Sequence, residues 1–168
     1  MSEDPGLQRL WTPWRMEYIK SAADEAPADC IFCELPGVGD DEETYILARG
    51  EHGFVILNKY PYNPGHLMVA PFRHVGQPDD LTDEELFGTT TLLRRTVGAL
   101  RDAAAPHGFN IGMNVGRVAG AGIPDHVHWH VVPRWGGDHN FMPVIGQTKV
   151  LPELLAETYA KLRSHFGG

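Results

Sequence analysis

The chain has 168 residues, 42% of them hydrophobic and 21% charged, which is typical of one soluble globular domain. Its formal net charge of −8 is not offset by any cluster of lysine and arginine, which argues against a nucleic-acid partner. No apolar run approaches the roughly 20 residues that a membrane span requires. The N-terminus also lacks a signal-peptide pattern, so the sequence predicts a cytoplasmic protein with no membrane partner.

The first 29 residues form an aromatic-rich extension. Within it, Trp11, Trp14 and Tyr18 recur at spacings of three and four, which predicts one face of a short helix beginning at Pro13. We expect this helix to pack on the domain or on a partner subunit.

The chain contains two cysteines, Cys30 and Cys33, separated by two residues. One such pair cannot supply a disulfide framework for the whole chain. In a reducing compartment the spacing indicates half of a metal site or a redox pair, with two buried free thiols as the remaining alternative. The neighbouring sequence lacks the strand-to-helix pattern of a redox motif, which favours the metal site.

Three runs of the sequence predict β-strands. Residues 53–58 and 66–71 are largely apolar, and residues 109–115 alternate between apolar side chains and small or polar ones. Because these strands surround one long helix and precede a second, the pattern indicates an α+β domain with an antiparallel sheet.

Two helices are predicted in the same part of the chain. The first begins at Thr82, because Thr82 and Glu85 form a capping-box pattern, and it ends before Pro106. The second is predicted over residues 150–165, where leucine and tyrosine recur every three or four positions. In the first helix the apolar residues at helical spacing are Leu86, Leu93, Val97 and Leu100.

The most informative segment is residues 126–132, HVHWHVV, in which histidine alternates with apolar residues. Because strand side chains alternate between faces, His126, His128 and His130 are predicted to project together from one face. Such a group can bind a metal, supply catalytic bases and nucleophiles, or form a solvated polar face. The preceding glycine-rich segment, GRVAGAGIPD, favours a functional site, because glycines let the backbone approach an anion and expose its N–H groups.

The order of histidines and apolar residues in this segment resembles the signature of the histidine-triad (HIT) superfamily, and the resemblance extends over most of the chain. It implies an α+β fold with an antiparallel sheet of about five strands, a crossing helix and a C-terminal helix. It also implies a homodimer. The expected parts are the extension, residues 1–29; the HIT domain, residues 30–146; and a C-terminal helix packed on that domain, residues 147–168.

In this family the middle histidine of the triad is the nucleophile. The resemblance therefore assigns attack on a nucleotide α-phosphate to His128, and contact with the phosphate or the leaving oxygen to His130. A neutral imidazole is a good nucleophile near pH 7, and a nucleotidyl-imidazole can be attacked again. Ile123 stands where many members carry Ser or Thr near the leaving group, so we expect that group's proton from elsewhere, such as His130. The resemblance places these residues around the nucleotide: Leu57, Asn58, His66, Met68, Asn114, Gly116, Gly122 and Ile123.

One branch of the superfamily, which includes galactose-1-phosphate uridylyltransferase, combines a C-x-x-C pair with two histidines. One of these follows the second strand, and the other is the first histidine of the triad. By resemblance, a structural zinc would be held by Cys30, Cys33, His74 and His126. Such a site would join the N-terminal segment to the active strand and leave the metal no open position for catalysis.

The segments RLWTPWRMEYI and RWGGDHNF resemble those of bacterial enzymes of the diadenosine tetraphosphate phosphorylase type. The implied function is cleavage of a dinucleoside polyphosphate through a covalent nucleotidyl-His128 intermediate, with phosphate or water as acceptor. A nucleoside phosphoramidase or another nucleotidyl hydrolase is the alternative enzyme, and a nucleotide-binding module without turnover is the alternative outside catalysis. The RWGGDHNF segment would cover the polyphosphate or second nucleoside, or would contact a partner subunit.

Overall fold

The structure is a computed structural model, and it describes residues 30–138 and 153–167. The predicted helix in the extension lies outside these residues. So do the expected domain boundary after residue 146 and the end of the RWGGDHNF segment.

The described residues form three α-helices, two short 3-10 turns and one five-stranded sheet. The sheet is antiparallel throughout, with the strand order β1-β2-β3-β5-β4. This arrangement confirms the predicted α+β class with an antiparallel sheet. In chain order the elements are α1 (Ile31–Val38), β1 (Ile46–Arg49), β2 (Gly53–Leu57), β3 (Leu67–Pro71), the 3-10 turn Pro78–Asp80, α2 (Asp83–Ala104), β4 (Gly108–Gly112), the 3-10 turn Arg117–Ala119, β5 (Trp129–Arg134) and α3 (Leu155–Arg163).

Both faces of the sheet carry an apolar core. On one face, α2 and α3 pack against the strands, and we call this the helix-side core; it includes Leu67, Leu100 and Leu162. On the other face, α1 contributes Phe32 to a smaller cluster with Phe54 and residues of β1 and β3, which we call the site-side core. Because β2 and β3 are buried on both faces, every residue in these two strands is buried, and their sequences are continuous apolar runs.

The long crossing helix α2 begins as the sequence predicts. The N–H of Glu85 donates to Thr82 Oγ1 at 3.2 Å, and the N–H of Thr82 donates to Glu85 Oε2 at 2.9 Å, which forms the capping box. After the last helical residue, Ala105 adopts a left-handed conformation, and its N–H bonds to the carbonyl of Arg101. The helix thus ends two residues before Pro106, as predicted.

The buried stripe of α2 differs from the predicted one. Leu86 is 42% exposed, and Leu93 and Val97 are only partly buried. Two threonines, Thr89 and Thr96, lie in the buried stripe. Their hydroxyls donate to helix carbonyls one turn earlier, so burying them leaves no polar group unpaired. The buried stripe of α2 is therefore only partly made of the apolar residues at helical spacing.

Several predicted elements are shorter than expected. Of the predicted helix over residues 150–165, residues 150–152 lie outside the described residues, and the helix observed in the rest spans Leu155–Arg163. Strand β4 ends at Gly112 rather than residue 115. The regular strand β5 begins only at Trp129, so the first two triad histidines precede it. Helix α1 and strand β1 were not predicted from the sequence. No helix in the described parts of the chain combines the length and the apolar character needed to span a membrane.

Candidate active site and metal cluster

Four side chains from distant parts of the sequence meet beside the start of α1. Cys30 is the N-cap residue of α1, and its carbonyl accepts the N–H of Cys33 at 2.8 Å, so this turn brings both thiols close together. Nδ1 of His126 lies 3.3 Å from Cys30 Sγ and 3.6 Å from Cys33 Sγ. Nδ1 of His74 lies 3.3 Å from Cys33 Sγ. All four ligand atoms lie within 4.8 Å of one another, and we call these residues the metal cluster.

The metal cluster has the dimensions of a tetrahedral site. Zinc bond lengths imply a sulfur-to-nitrogen separation of about 3.5 Å between neighbouring ligands, close to the 3.3–3.6 Å observed. Nε2 of His126 lies 3.0 Å from the carbonyl of Pro71, so Nε2 donates and Nδ1 keeps its lone pair for a metal. Burial lowers the pKa of His126 to about 4, so the ring is neutral, as a metal ligand must be. The structure therefore brings together the four predicted ligands in a geometry that fits one metal ion.

The loop after β3 carries His74 to the metal cluster and is held at two points. Arg73 donates to both carboxylate oxygens of Glu85, at 2.7 and 2.6 Å, which ties the loop to the first turn of α2. The carbonyl of Val75 accepts the N–H of Val127 at 2.7 Å, which ties the loop to the triad segment. The N–H of Val127 is thus bonded to the loop and not to a neighbouring strand, which is consistent with β5 beginning only at Trp129.

The middle histidine of the triad has a defined tautomer. His128 is 4% exposed, and its Nδ1 lies 2.8 Å from the backbone carbonyl of His126. A carbonyl can only accept, so Nδ1 carries the ring hydrogen and Nε2 carries the lone pair. Burial lowers the pKa of His128, so the ring is neutral and its Nε2 is available as a nucleophile near neutral pH.

The third histidine of the triad pairs with His66. Asn58 Oδ1 accepts the N–H of Tyr60 at 2.9 Å, so the Asn58 amide nitrogen faces His66 Nδ1, at 3.2 Å. The N–H of Tyr62 also donates to His66 Nδ1, at 3.1 Å. His66 Nδ1 is therefore an acceptor, and Nε2 donates to His130 Nδ1 at 3.0 Å. The remaining hydrogen of neutral His130 lies on Nε2.

The predicted nucleotide-lining residues of the sheet lie on different faces. Met68 pairs with His130 in the sheet register and belongs to the site-side core, on the face that carries His130. Leu57 packs in the helix-side core, so its side chain lies on the opposite face. Its neighbour Ile56 pairs with Met68 and lies on the site side. The structure therefore places Met68 on the face of His130 and Leu57 on the other face.

The remaining predicted lining residues lie on the loop between β4 and β5. Asn114, Gly116, Gly122 and Ile123 are all half-buried there. Gly116 has a φ of 80°, a conformation that favours glycine, and its carbonyl accepts two backbone N–H groups of the loop. Ile123 packs against the site-side core, which is consistent with an apolar residue at that position.

Two aromatic residues that the sequence analysis did not select contact the histidines. Phe32 lies between Cys30 and Cys33 in the sequence, and its ring contacts those of His126 and His128. The ring of Tyr62 lies 4.5 Å from that of His66 and 5.6 Å from that of His130. No local pattern identifies either residue, because their positions depend on contacts between separate segments.

A polar network joins the loop between β2 and β3 to the end of β5. The carboxylate of Asp138 accepts hydrogen bonds from both Arg134 and Asn63, and Asn63 also donates to the carbonyl of Pro133. The Arg134 guanidinium holds the pKa of Asp138 well below its usual range. This network fixes the loop that contains Asn58 and His66 against the strand that carries His130.

Comparison with known proteins agrees with this site. The HIT domain family model matches residues 41–137. The AP-4-A phosphorylase of Mycobacterium tuberculosis is 46% identical, over 90% of this chain and 80% of that protein. The adenosine 5′-monophosphoramidase of Schizosaccharomyces pombe is 30% identical, over 62% of this chain and 74% of that protein. A solved structure of a zinc-bound histidine triad family protein from Mycobacterium smegmatis is 26% identical, with a TM-score of 0.66, over 82% of this chain and 93% of that one. The chain therefore belongs to the HIT family and is an enzyme of that family.

Proposed function

We propose that this enzyme cleaves dinucleoside polyphosphates through a covalent nucleotidyl-His128 intermediate. The observation that carries the proposal is the hydrogen bond from His128 Nδ1 to the carbonyl of His126, at 2.8 Å. This bond keeps the lone pair on Nε2, and burial keeps the ring neutral. A buried, neutral imidazole with a fixed tautomer is suited to nucleophilic attack on phosphorus.

The proposed reaction has two displacements. In the first, Nε2 of His128 forms a bond to the α-phosphorus of the substrate as the bond to the leaving oxygen breaks. Neutral His130 donates a hydrogen bond from Nε2 to that oxygen, which departs as a polyphosphate anion. In the second, phosphate or water attacks the same phosphorus, the P–N bond breaks with its electron pair returning to His128 Nε2, and the attacking group's proton passes to solvent. The His66–His130 pair supplies the tautomer that the first step needs.

The substrate class rests on the relatives. The more similar one, at 46% identity, is an AP-4-A phosphorylase, which favours a diadenosine polyphosphate here. The more distant one, at 30% identity, is an adenosine 5′-monophosphoramidase, so a nucleoside phosphoramidate is the second candidate substrate. Both reactions would pass through the same nucleotidyl-histidine, and they differ in the leaving group.

Rapid quenching followed by mass measurement tests the mechanism. After mixing with diadenosine tetraphosphate, the wild type should gain the mass of one AMP, and His128→Asn should gain none. His107→Asn is the matched control, because His107 lies in the turn before β4 and its Nδ1 accepts the N–H of Gly136. Absence of the adduct and of turnover in the wild type, with this substrate and with adenosine phosphoramidate, would refute the proposal.

The same reaction identifies the acceptor. With the adenylyl group on His128, attack by phosphate releases ADP, whereas attack by water releases AMP. Running the reaction with and without added phosphate therefore separates a phosphorylase from a hydrolase. A nucleotide-binding module without turnover would retain intact substrate under both conditions.

We infer that the metal cluster binds a structural zinc. Support comes from the donor set of two thiols and two imidazoles, the sulfur-to-nitrogen distances, and the zinc-bound relative from Mycobacterium smegmatis. Zinc would supply four bonds that hold α1 against the triad segment, with no open position. Metal analysis of the purified protein should find one zinc per chain, and Cys30→Ser should reduce it. Unchanged zinc in Cys30→Ser would contradict the assignment.

We also propose that the protein forms a homodimer through β4. This strand is at the edge of the sheet, and Ile111 on it is 46% exposed. An exposed strand edge with apolar side chains is suited to pairing with a second copy. Sedimentation analysis should give a dimer for the wild type, and Ile111→Lys should shift it toward the monomer. A wild-type monomer at micromolar concentration would contradict this proposal.

We further propose the cytoplasm as the site of action, because its reducing conditions keep Cys30 and Cys33 available as thiolate ligands.

The division into an extension (1–29), a HIT domain (30–146) and a C-terminal segment (147–168) also stays a proposal. Limited proteolysis with mass identification of the fragments would test these boundaries.

A further inference from the structure

The ring of Phe32 lies against the proposed nucleophile. Its centroid is 4.7 Å from that of His128, with an angle of 41° between the ring planes. The ring centroid of His130 lies 4.8 Å from that of His128, and the angle of 72° between the two ring planes makes the contact edge-on. The Nδ1 hydrogen bond fixes one atom of the His128 ring, and these two neighbours limit how the ring can tilt about that bond.

Phe32 also contacts the metal cluster. It occupies the position between Cys30 and Cys33 on α1 and is 1% exposed. Its ring also contacts His126, at a centroid distance of 5.2 Å. The backbone of His126 provides a second connection, because its carbonyl accepts the Nδ1 hydrogen of His128. Two separate contacts therefore join the metal cluster to the nucleophile.

We propose that Phe32 is a positioning residue for His128, through which the metal cluster orients the nucleophilic Nε2. The proposal rests on the proposed function, because it assigns Nε2 as the attacking atom. Phe32 touches no reacting atom in this assignment. It restricts the tilt of the His128 ring, so that the lone pair of Nε2 keeps its direction while Nδ1 keeps its hydrogen bond to the His126 carbonyl.

Orientation of this kind affects the chemical step more than substrate binding. A misplacement of about 1 Å in a reacting group can reduce a rate by about 100-fold. A leucine at position 32 would keep the site apolar but would lack the flat surface that meets the imidazole. We therefore expect Phe32→Leu to slow formation of the nucleotidyl-His128 adduct by about 10-fold or more, with KM changed by less than about 2-fold.

Phe54→Leu is the matched control. Phe54 is buried in the same site-side core and contacts Phe32 and Phe72. It therefore reports the general effect of removing a ring from this core. We expect Phe54→Leu to lower the melting temperature by an amount similar to Phe32→Leu, while its adduct rate stays within about 3-fold of the wild type. Zinc content should be the same in both variants.

Three measurements decide the proposal. Equal adduct rates for Phe32→Leu and Phe54→Leu would overturn it, because the effect would then be structural. A raised KM with an unchanged kcat for Phe32→Leu would also overturn it, because Phe32 would then be a substrate contact. Nitrogen-15 NMR of the imidazole provides a readout that needs no turnover. In Phe32→Leu the Nδ1 hydrogen of His128 should exchange with solvent faster, because the ring is less restrained, whereas an unchanged exchange rate would refute the proposal even if the wild type formed no adduct.

Discussion

Nε2 of His66 lies 3.0 Å from Nδ1 of His130, and this contact determines which nitrogen of His130 carries its hydrogen. The backbone N–H of Tyr62 can only donate, so it makes His66 Nδ1 an acceptor and leaves the His66 hydrogen on Nε2. His130 then accepts at Nδ1 and donates from Nε2. A backbone group thus selects the tautomer of a histidine on another strand, through one intervening imidazole.

This chain of hydrogen bonds predicts an effect of His66 that depends on the leaving group. His66→Leu should remove the donor to His130 Nδ1 and allow the opposite tautomer. The rate should then fall by about 100-fold for adenosine phosphoramidate, whose poor amine leaving group depends on the hydrogen bond from His130 Nε2. It should change little for a nitrophenyl ester of AMP, whose leaving group is stable as an anion. The measurement is kcat/KM for both substrates with each protein.

His66→Gln provides the control, because its side-chain amide can donate near the position of the lost Nε2 hydrogen. It should recover part of the activity toward the poorer leaving group. Equal losses for both substrates in His66→Leu would contradict the tautomer argument and indicate a packing effect of this fully buried side chain.

Local chemistry explains which parts of the fold the sequence could predict. The capping box at Thr82 depends only on residues within one turn, and the structure contains it. By contrast, α1 has eight residues with Pro36 inside, and β1 has four. Neither has enough length for a periodic signal, so tertiary contacts decide their conformation. The buried threonines of α2 do not stand out in the apolar pattern, because their hydroxyls are satisfied within the helix.

In the site, too, some features are predictable from the sequence and others depend on tertiary contacts. The triad and the C-x-x-C pair are visible as spacings in the sequence. However, Cys30 and His126 are 96 positions apart, and only resemblance to a family suggested that they meet. Phe32 and Tyr62 have no spacing signal, because their contacts depend on how a loop and a short helix pack on the triad. Hydrogen-bond partners that fix tautomers could not be predicted for the same reason.

The ion pair between Arg73 and Glu85 predicts a specific dependence of stability on pH. The hydrogen bonds from Arg73 lower the pKa of Glu85 to about 2. Its pKa in the unfolded chain is about 4.3, so the unfolded state binds more protons between these values. The stabilisation is present above about pH 5 and is lost as the pH falls toward about 2. Glu85→Gln should therefore be less stable than the wild type at neutral pH, and the two should converge in acid.

Urea unfolding midpoints at about pH 7, 5, 4 and 3 would measure this convergence. Glu51→Gln is the control, because Glu51 is an exposed carboxylate outside the Arg73 pair. It should follow the wild type at every pH. Parallel curves for the wild type and Glu85→Gln would show that the ion pair does not produce the acid sensitivity.

The contact between Asn63 and Asp138 predicts a measurable coupling. The Asn63 amide donates to Asp138 Oδ2 at 2.8 Å, and both side chains are largely buried. Asn63→Ala and Asp138→Asn should each reduce the free energy of unfolding, and the double variant should lose less than their sum. We expect a coupling of about 0.5–1.5 kcal/mol, the usual contribution of such a hydrogen bond. Strict additivity in urea unfolding would mean that the two residues act independently.

Removal of the metal should destabilise the protein and slow its chemistry together. A ligand present at about 100 times its Kd stabilises the folded state by about 2.7 kcal/mol, which corresponds to about 5–10 °C for a domain of this size. A strong chelator should therefore lower the melting temperature of the wild type by about that amount. Cys33→Ser lacks one of the four ligands, so without chelator it should already have a lower melting temperature than the wild type. The chelator should change the melting temperature of this variant little.

The activity of the chelated protein, measured well below its new melting temperature, separates two explanations. If zinc only stabilises the fold, the folded protein without metal should retain the wild-type rate. The contacts from His126 and Phe32 to His128 predict instead that the adduct rate falls by about 10-fold while the protein is still folded. Added zinc should restore both the rate and the melting temperature of the wild type, whereas in Cys33→Ser it should restore neither in full. An undiminished rate in folded, metal-free protein would show that the metal cluster does not orient the nucleophile.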